Sequence, residues 1–255
     1  MQAVARNLPD QYAIMVPLGA GCGLRQGEIF GLALDDVDFV QRVIHVRRQV
    51  KLLRGRRIFA APKYDKERAV PLPESVAAEL AAYIRRFPPQ QVTLPWEKLD
   101  GPPTTANLIL THEKAALRRN SLNESVWRPA LVAAGVVPKD RPRPQPGRRD
   151  QSQREHGMHA LRHFYASVLL DAGDSIKAIA EYLGHSDPSF TLRTYTHLMP
   201  TSHDRTRKAI DAAFASMAQP VRPVRRVLSV RRNRNGTGDH SRVPHAGRTR
   251  SPVTC

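Results

Sequence analysis

The chain is short of cysteine, of long apolar runs and of negative charge, and each shortage narrows what it can be. Only two cysteines, Cys22 and Cys255, occur in 255 residues. They form neither a CxxC pair nor a Cys/His cluster, so no disulfide framework and no structural zinc site is expected. No run of eighteen apolar residues is present, and the N-terminus lacks the charged, apolar and small-residue order of a signal peptide. Membrane insertion and export are therefore not expected, and the cytoplasm is the expected compartment. Acids number 23 against 40 Lys and Arg, a net charge of +17. Such an excess points to a polyanionic partner, because cations that neutralise phosphates release condensed counterions.

The excess charge is unevenly spread. Residues 220–255 hold nine Arg and one Asp, a net of +8, among Pro, Gly and Ser with no apolar periodicity, which reads as a disordered basic tail. A second basic stretch, 139–154, carries six cations against two acids and reads as an exposed loop. Hydrophobic residues make up 41% of the chain, enough for a buried core over the rest.

Periodicity suggests a mainly helical α+β fold. A helix capped by Asp10 leads into a turn at Gly21–Gly23, and a short helix over 25–32 ends before the acidic turn at 35–38. Alternation over 39–47, 49–60 and 68–72 suggests three short antiparallel strands forming one small sheet. Pro73 opens the next helix, with Val76, Leu80, Tyr83 and Ile84 on one face. Residues 87–105 read as Pro-rich and irregular, and 107–111 as an isolated edge strand. Ser121 and Glu124 fit a capping box for a helix through Trp127, Leu131 and Ala134. Beyond the basic loop, helices are expected at 158–172, 175–183, 188–198 and 202–217.

Six residues carry candidate chemistry, most of it in the segment 159–197. Arg25 lies beside a helix N-terminus, which favours anions, although an Arg with Glu28 three residues on also reads as a surface ion pair. Lys63, in PKYDKERAVPL, falls on a tight turn between strands, where surrounding phosphates can change its proton affinity; position alone does not choose between Lys63 and Lys66. His159 and Arg162 are i, i+3 and share a helix face. His159 and His163 have the i, i+4 spacing of a metal pair, but no glutamate or third ligand accompanies them. His185 follows Gly184 at a helix end. Tyr195 is a candidate nucleophile, needing nearby cations because a free phenol ionises only near pH ~10; a packing role is the plainer reading of a helical Tyr.

Taken in order, GLRQGE at Arg25, PKYDKERAVPL at Lys63, HALRH at His159, LGHS at His185 and YTH at Tyr195 resemble the catalytic domain of the tyrosine recombinases, the phage-integrase family. The wording of the last segments resembles integrases of actinobacterial phages and integrative elements. The resemblance implies a catalytic domain over 1–218 with a basic tail over 219–255, and an N-terminal DNA-clamp domain is not expected in this chain. It also implies site-specific recombination through a 3′-phosphotyrosyl link on Tyr195, without metal or other cofactor. Arg25 and Arg162 would hold the scissile phosphate, Lys63 protonate the leaving 5′-oxygen, His159 accept the phenolic proton and His185 donate to a phosphate oxygen, with Glu28 supporting the Arg25 helix. Implied partners are double-stranded DNA at attachment sites, three further copies in a homotetramer, and accessory DNA-bending factors. Three other readings stand beside this one: a truncated integrase remnant, a topoisomerase using the same phosphotyrosine, and a non-enzymatic helix-turn-helix-like DNA-binding protein with Ile176, Ile179 and Leu183 as its core.

Overall fold

In the computed structural model, the described residues are 2–140 and 156–185, with single positions at 189, 194, 207, 210 and 211. The chain divides into two compact units, 1–202 and 203–255, and the elements below belong to the first. Most of the basic stretch 139–154, nearly all of the two last expected helices, Tyr195 and the tail lie outside the described residues.

The N-terminal helices are α1 (Gln2–Arg6), α2 (Asp10–Ala13), α3 (Met15–Cys22) and α4 (Gln26–Gly31). Pro9, not Asp10, occupies the cap position of α2, and Asp10 makes no capping hydrogen bond. Gly23 ends α3 in the left-handed conformation, φ 65°, which only glycine adopts without strain. Next come β1 (Val37–Asp38), β2 (Val43–Val46), β3 (Gln49–Leu53), β4 (Arg56–Ala60) and β5 (Arg68–Pro71).

A three-stranded antiparallel sheet is present, but in the order β1, β2, β5. The single strand expected over 49–60 is instead a separate hairpin of β3 and β4. Arg54 and Gly55 both have positive φ, 47° and 77°, the pairing that a two-residue hairpin turn requires. Residues 39–42 are not strand either, because the Asp38 carboxylate accepts the N–H groups of Val40 and Gln41 and folds the chain into a turn.

Helix α5 (Glu74–Arg86) buries Val76 and Leu80. The Pro-rich region is not irregular: β6 (Gln90–Pro95) pairs with β7 (Pro103–Leu108). Pro95 faces Pro103 at the end of the ladder, so the prolines mark strand ends and leave the interior free to pair. The edge strand expected over 107–111 is thus the close of β7, and a two-residue ladder, β8 (Thr111–His112) with β9 (Ala115–Ala116), follows.

Helical structure resumes at α6 (Arg119–Leu122), passes through a π turn over Asn123–Trp127 and continues as α7 (Arg128–Ala133). The expected capping box fails, since Ser121 already sits inside the helix and Arg118 takes the cap position. Helix α8 (His159–Ala172) and helix α9 (Ile176–Leu183) match expectation, joined by left-handed Gly173 and capped by Ser175 Oγ, which accepts the Ala178 N–H at 3.1 Å.

One apolar cluster runs from Val4 to Leu161, with Met15, Leu18, Phe30, Ile44, Phe59 and Leu108 fully buried; a smaller one joins Tyr165, Leu170, Ile179 and Leu183. Helices α3 and α8 cross closely at Gly19, where a Cβ would stand 2.8 Å from Leu161 Cδ1.

At Gly23 a Cβ would meet the Tyr165 ring at 2.5 Å, whereas at Gly135, also left-handed at φ 70°, it would meet nothing. Gly135→Ala should therefore cost only the backbone strain, about 1 kcal/mol, and Gly23→Ala at least about 1 kcal/mol more, read from urea midpoints. Equal losses would show that the ring does not press on Gly23.

Candidate active site

The site is built around the C-terminal end of α9. An α-helix leaves its last carbonyls without internal donors, and its dipole makes that end negative. Here three guanidiniums from distant parts of the chain supply the donors. Arg68 Nε donates to Tyr182 O at 2.6 Å, Arg162 Nη2 donates to Leu183 O, and Arg25 Nη2 donates to Gly184 O at 3.4 Å. Arg162 also donates to Gly23 O at 2.6 Å, tying α8 to the turn between α3 and α4. Gly184 is left-handed at φ 58°, and a Cβ there would lie 3.1 Å from Arg68 Cδ, so conformation and crowding both call for glycine.

Arg25 is the N-cap of α4, with extended backbone, φ −73° and ψ 152°. Glu28, in the first turn, accepts the Arg25 N–H at 2.8 Å and the Arg25 side chain at 2.9 Å. The same carboxylate takes both terminal nitrogens of Arg68, at 3.0 and 2.7 Å. Glu28 and Arg68 are almost sealed from solvent. The pair is therefore a buried bridge between two arginines and not a surface ion pair. Burial pushes the Glu28 carboxyl up, but Arg68, through its hydrogen bonds and charge, and then Arg25 pull it further down, to about 2.

His185 follows Gly184, with Nε2 3.4 Å from Arg162 Nη2. His159, at the start of α8, meets His163 edge to face with ring centroids 4.7 Å apart. Burial first, and then neighbouring groups, chiefly His163 and Arg162 at His159 and Arg162 and Arg25 at His185, together lower both imidazoles to about 4. Both rings are thus neutral at pH 7. Among the described residues no group of three His, Cys, Asp or Glu side chains could hold a metal ion.

Arg25, Arg162, His159 and His185 are brought together, beside an open cleft of about 840 Å³ whose walls include Arg25, Gln49, Lys51, Arg119, Trp127 and His159. Lys63 is not part of this cluster. It lies exposed on a 3-10 turn, Lys63–Asp65, with Nζ 4.9 Å from the centre of the Tyr64 ring. That turn links β4 to β5, which belong to different sheets, so it is not the tip of a hairpin. Ile179 and Leu183 are buried, as a helix-turn-helix core would have them, but the end of their helix is held by the arginines. Along the sequence Arg68 marks only the start of a strand. Its signal is its parity: Arg68 and Val70 are the two buried positions of an alternating strand, and a charge at a core position demands a buried partner.

Over residues 1–201 the sequence matches the profile of the Phage integrase family. It is 28% identical over 207 residues to the tyrosine recombinase XerC-like protein of Caldanaerobacter subterraneus subsp. tengcongensis, covering 77% of this chain and 48% of that protein. Tyrosine recombinase XerD of Staphylococcus epidermidis is 29% identical over 184 residues, 72% of this chain and 49% of that protein. The chain thus spans about half the length of the curated relatives it matches. Among solved structures, the Tn1549 transposon integrase in complex with transposon right end DNA superposes with a TM-score of 0.57 at 23% identity, over 79% of this chain and 58% of that one. XerA recombinase superposes with a TM-score of 0.50 at 20% identity, over 78% and 62%. At these identities the likeness is one of fold.

The depressed Glu28 carboxyl contributes stability that is complete above pH ~5 and is lost as pH falls from about 4.5 toward about 2. The neutral histidines act in a higher window, since the unfolded chain takes up protons below about 6.5 that the fold resists until about 4. Glu28→Gln should lower stability at pH 7 by roughly 3 kcal/mol, as expected on breaking a buried pair. It should also flatten only the part of the acid-unfolding curve below pH ~4.5. An unaltered curve would mean that the carboxylate is not held by its arginines.

Proposed function

The chain belongs to the phage integrase family, and from that premise we propose that it recombines DNA at specific sites by cutting and rejoining strands through a phosphotyrosine. The observation that carries this is the convergence of Arg25 and Arg162 on one helix end with two neutral histidines beside them. Guanidiniums match the geometry of phosphate oxygens and strengthen as charge builds in a pentacoordinate transition state. A neutral imidazole can accept a proton at pH 7.

In this reading Arg25 and Arg162 bind the scissile phosphate. Tyr195 Oη attacks phosphorus and its proton passes to His159. The bond from phosphorus to the 5′-oxygen breaks, Lys63 supplies the proton to that oxygen, and His185 donates to a non-bridging oxygen. The 3′-phosphotyrosyl ester retains the energy of the phosphodiester, so attack by a 5′-hydroxyl reseals the strand without an external energy source. Duplex DNA is the partner, four copies assemble on paired sites with accessory bending factors, and the reaction takes place in the cytoplasm. Residues 1–218 form the catalytic unit and 219–255 an appended basic tail.

The test is covalent capture. Full-length protein incubated with a randomised pool of nicked suicide duplexes should yield a protein–DNA adduct that Tyr195→Phe abolishes, and sequencing the captured strands would then give the preferred site. No adduct from the wild type would sink the reading. The pH dependence of binding gives a second check. A phosphate beside His159 and His185 raises their proton affinity, so DNA affinity should increase as pH falls from about 6.5 to about 4, by up to about tenfold per pH unit for each proton taken up. His185→Asn should reduce that slope, and an affinity independent of pH would place the phosphate elsewhere.

A further inference from the structure

Between Asp38 and Asp65 the chain has no acidic residue but eight Lys and Arg. Several are engaged. Arg42 pairs with Glu74 at 3.6 Å, Arg47 and Arg48 pair with Asp36, and Arg57 donates to Ala116 O. Lys63 belongs to the proposed chemistry. Three remain, Lys51, Arg54 and Arg56, all exposed on the β3–β4 hairpin and without an ion-pair partner among the described residues. Leu52 and Leu53 lie between them, each more than a third exposed.

The two ends of this hairpin differ sharply. At its root, Gly27 and Gly31 stand one helical turn apart on α4, the helix that Arg25 caps. A Cβ at Gly27 would meet Val50 O at 3.0 Å, and one at Gly31 would meet Gln49 Cα at 2.9 Å. The two glycines therefore let β3 press directly on the backbone of α4. Gln49 Nε2 donates to Ala61 O at 2.6 Å and closes the root. At the tip, a Cβ on Gly55 would meet nothing within 4 Å, so the turn stands clear of the protein. From Val50, in the cleft wall, to Arg54 is four residues, about 13 Å at the usual strand rise. That length corresponds to roughly four base pairs of duplex.

We infer that the β3–β4 hairpin is a second DNA-binding element, whose tip grips backbone phosphates outside the cleft and whose root holds that grip in register with Arg25. Arg54 and Arg56, at the tip, neutralise these phosphates, while Lys51 and Leu52, in the cleft wall, continue the basic and apolar surface back toward Arg25. The inference rests on the DNA reading above and adds to it a contact that this reading does not require. A rigid root matters because a grip on a floppy arm would raise affinity without placing the scissile bond.

The experiment measures DNA binding by full-length protein to a fluorescein-labelled duplex of mixed sequence, across a range of salt concentrations. Wild type is compared with Arg54→Gln/Arg56→Gln and with the charge-retaining Arg54→Lys/Arg56→Lys. Both pairs lie on exposed positions, and equal urea midpoints establish that folding is intact. The Gln pair should weaken binding about tenfold or more at ~0.1 M salt and reduce the slope of log affinity against log salt by about 2, at roughly 0.9 per phosphate released. The Lys pair should restore most of both. Unchanged affinity and slope in the Gln pair would overturn the hairpin contact, while a Tyr195 adduct from the wild type would leave the recombinase reading standing. If sedimentation shows that the wild type self-associates without DNA, and the Gln pair loses that association but not DNA binding, the surface docks protein and the inference fails.

Discussion

The negative end of α9 is where the structure is tied together. Its last carbonyls receive Arg68 from β5, Arg162 from α8 and Arg25 from the cap of α4, so one helix terminus fixes three elements. Glu28 takes Arg25 and Arg68 together, and the helix dipole, worth roughly half a negative charge at this end, faces all three guanidiniums. Arg68 and Arg162 are buried, so water and salt screen this cluster little. Cations gathered at one place favour an anion that reaches the cleft.

The same charge sets the state of the histidines. An imidazole that stood alone at these positions would be lowered by burial; beside Arg162 and Arg25 it is lowered further. The consequence is selective. Both rings stand unprotonated at pH 7, and an anion that offset the arginines would raise their affinity for a proton. Glu28 behaves in the opposite sense, remaining ionised far below its usual range because its burial is outweighed by two cations. One cluster therefore holds a carboxylate charged, through Arg68 and Arg25, and two imidazoles uncharged, through burial and then Arg162 and Arg25.

Much of this was legible along the chain. Helices α5, α8 and α9 follow from apolar periodicity, α8 and α9 also from glycine at their ends, and the spacing of His159 from Arg162 puts both on one helix face, within electrostatic reach of Arg25. Where reading failed, a local signal was overruled by pairing partners far away. The stretch 49–60 alternates like one strand, but Arg54 and Gly55 turn it back on itself. Prolines suggested an irregular segment at 87–105, yet they lie at strand ends, where the missing N–H is harmless. Ser121 and Glu124 have the spacing of a capping box inside a helix that had already begun at Arg119.

The sequence by itself determined the family pattern, the helices and the identity of the candidate residues, because these depend on residue types at short, regular spacing. Only the tertiary structure decided that Glu28 is a buried bridge and not a surface partner of Arg25, that Arg68 completes the site, and that the free hairpin tip is at Arg54 and Gly55 while Lys63 sits on a separate turn. The physical reason is the same in each case. Burial, and the partner a charge finds once it is buried, are set by contacts between segments 40 to 159 residues apart, and no local pattern in a sequence records them.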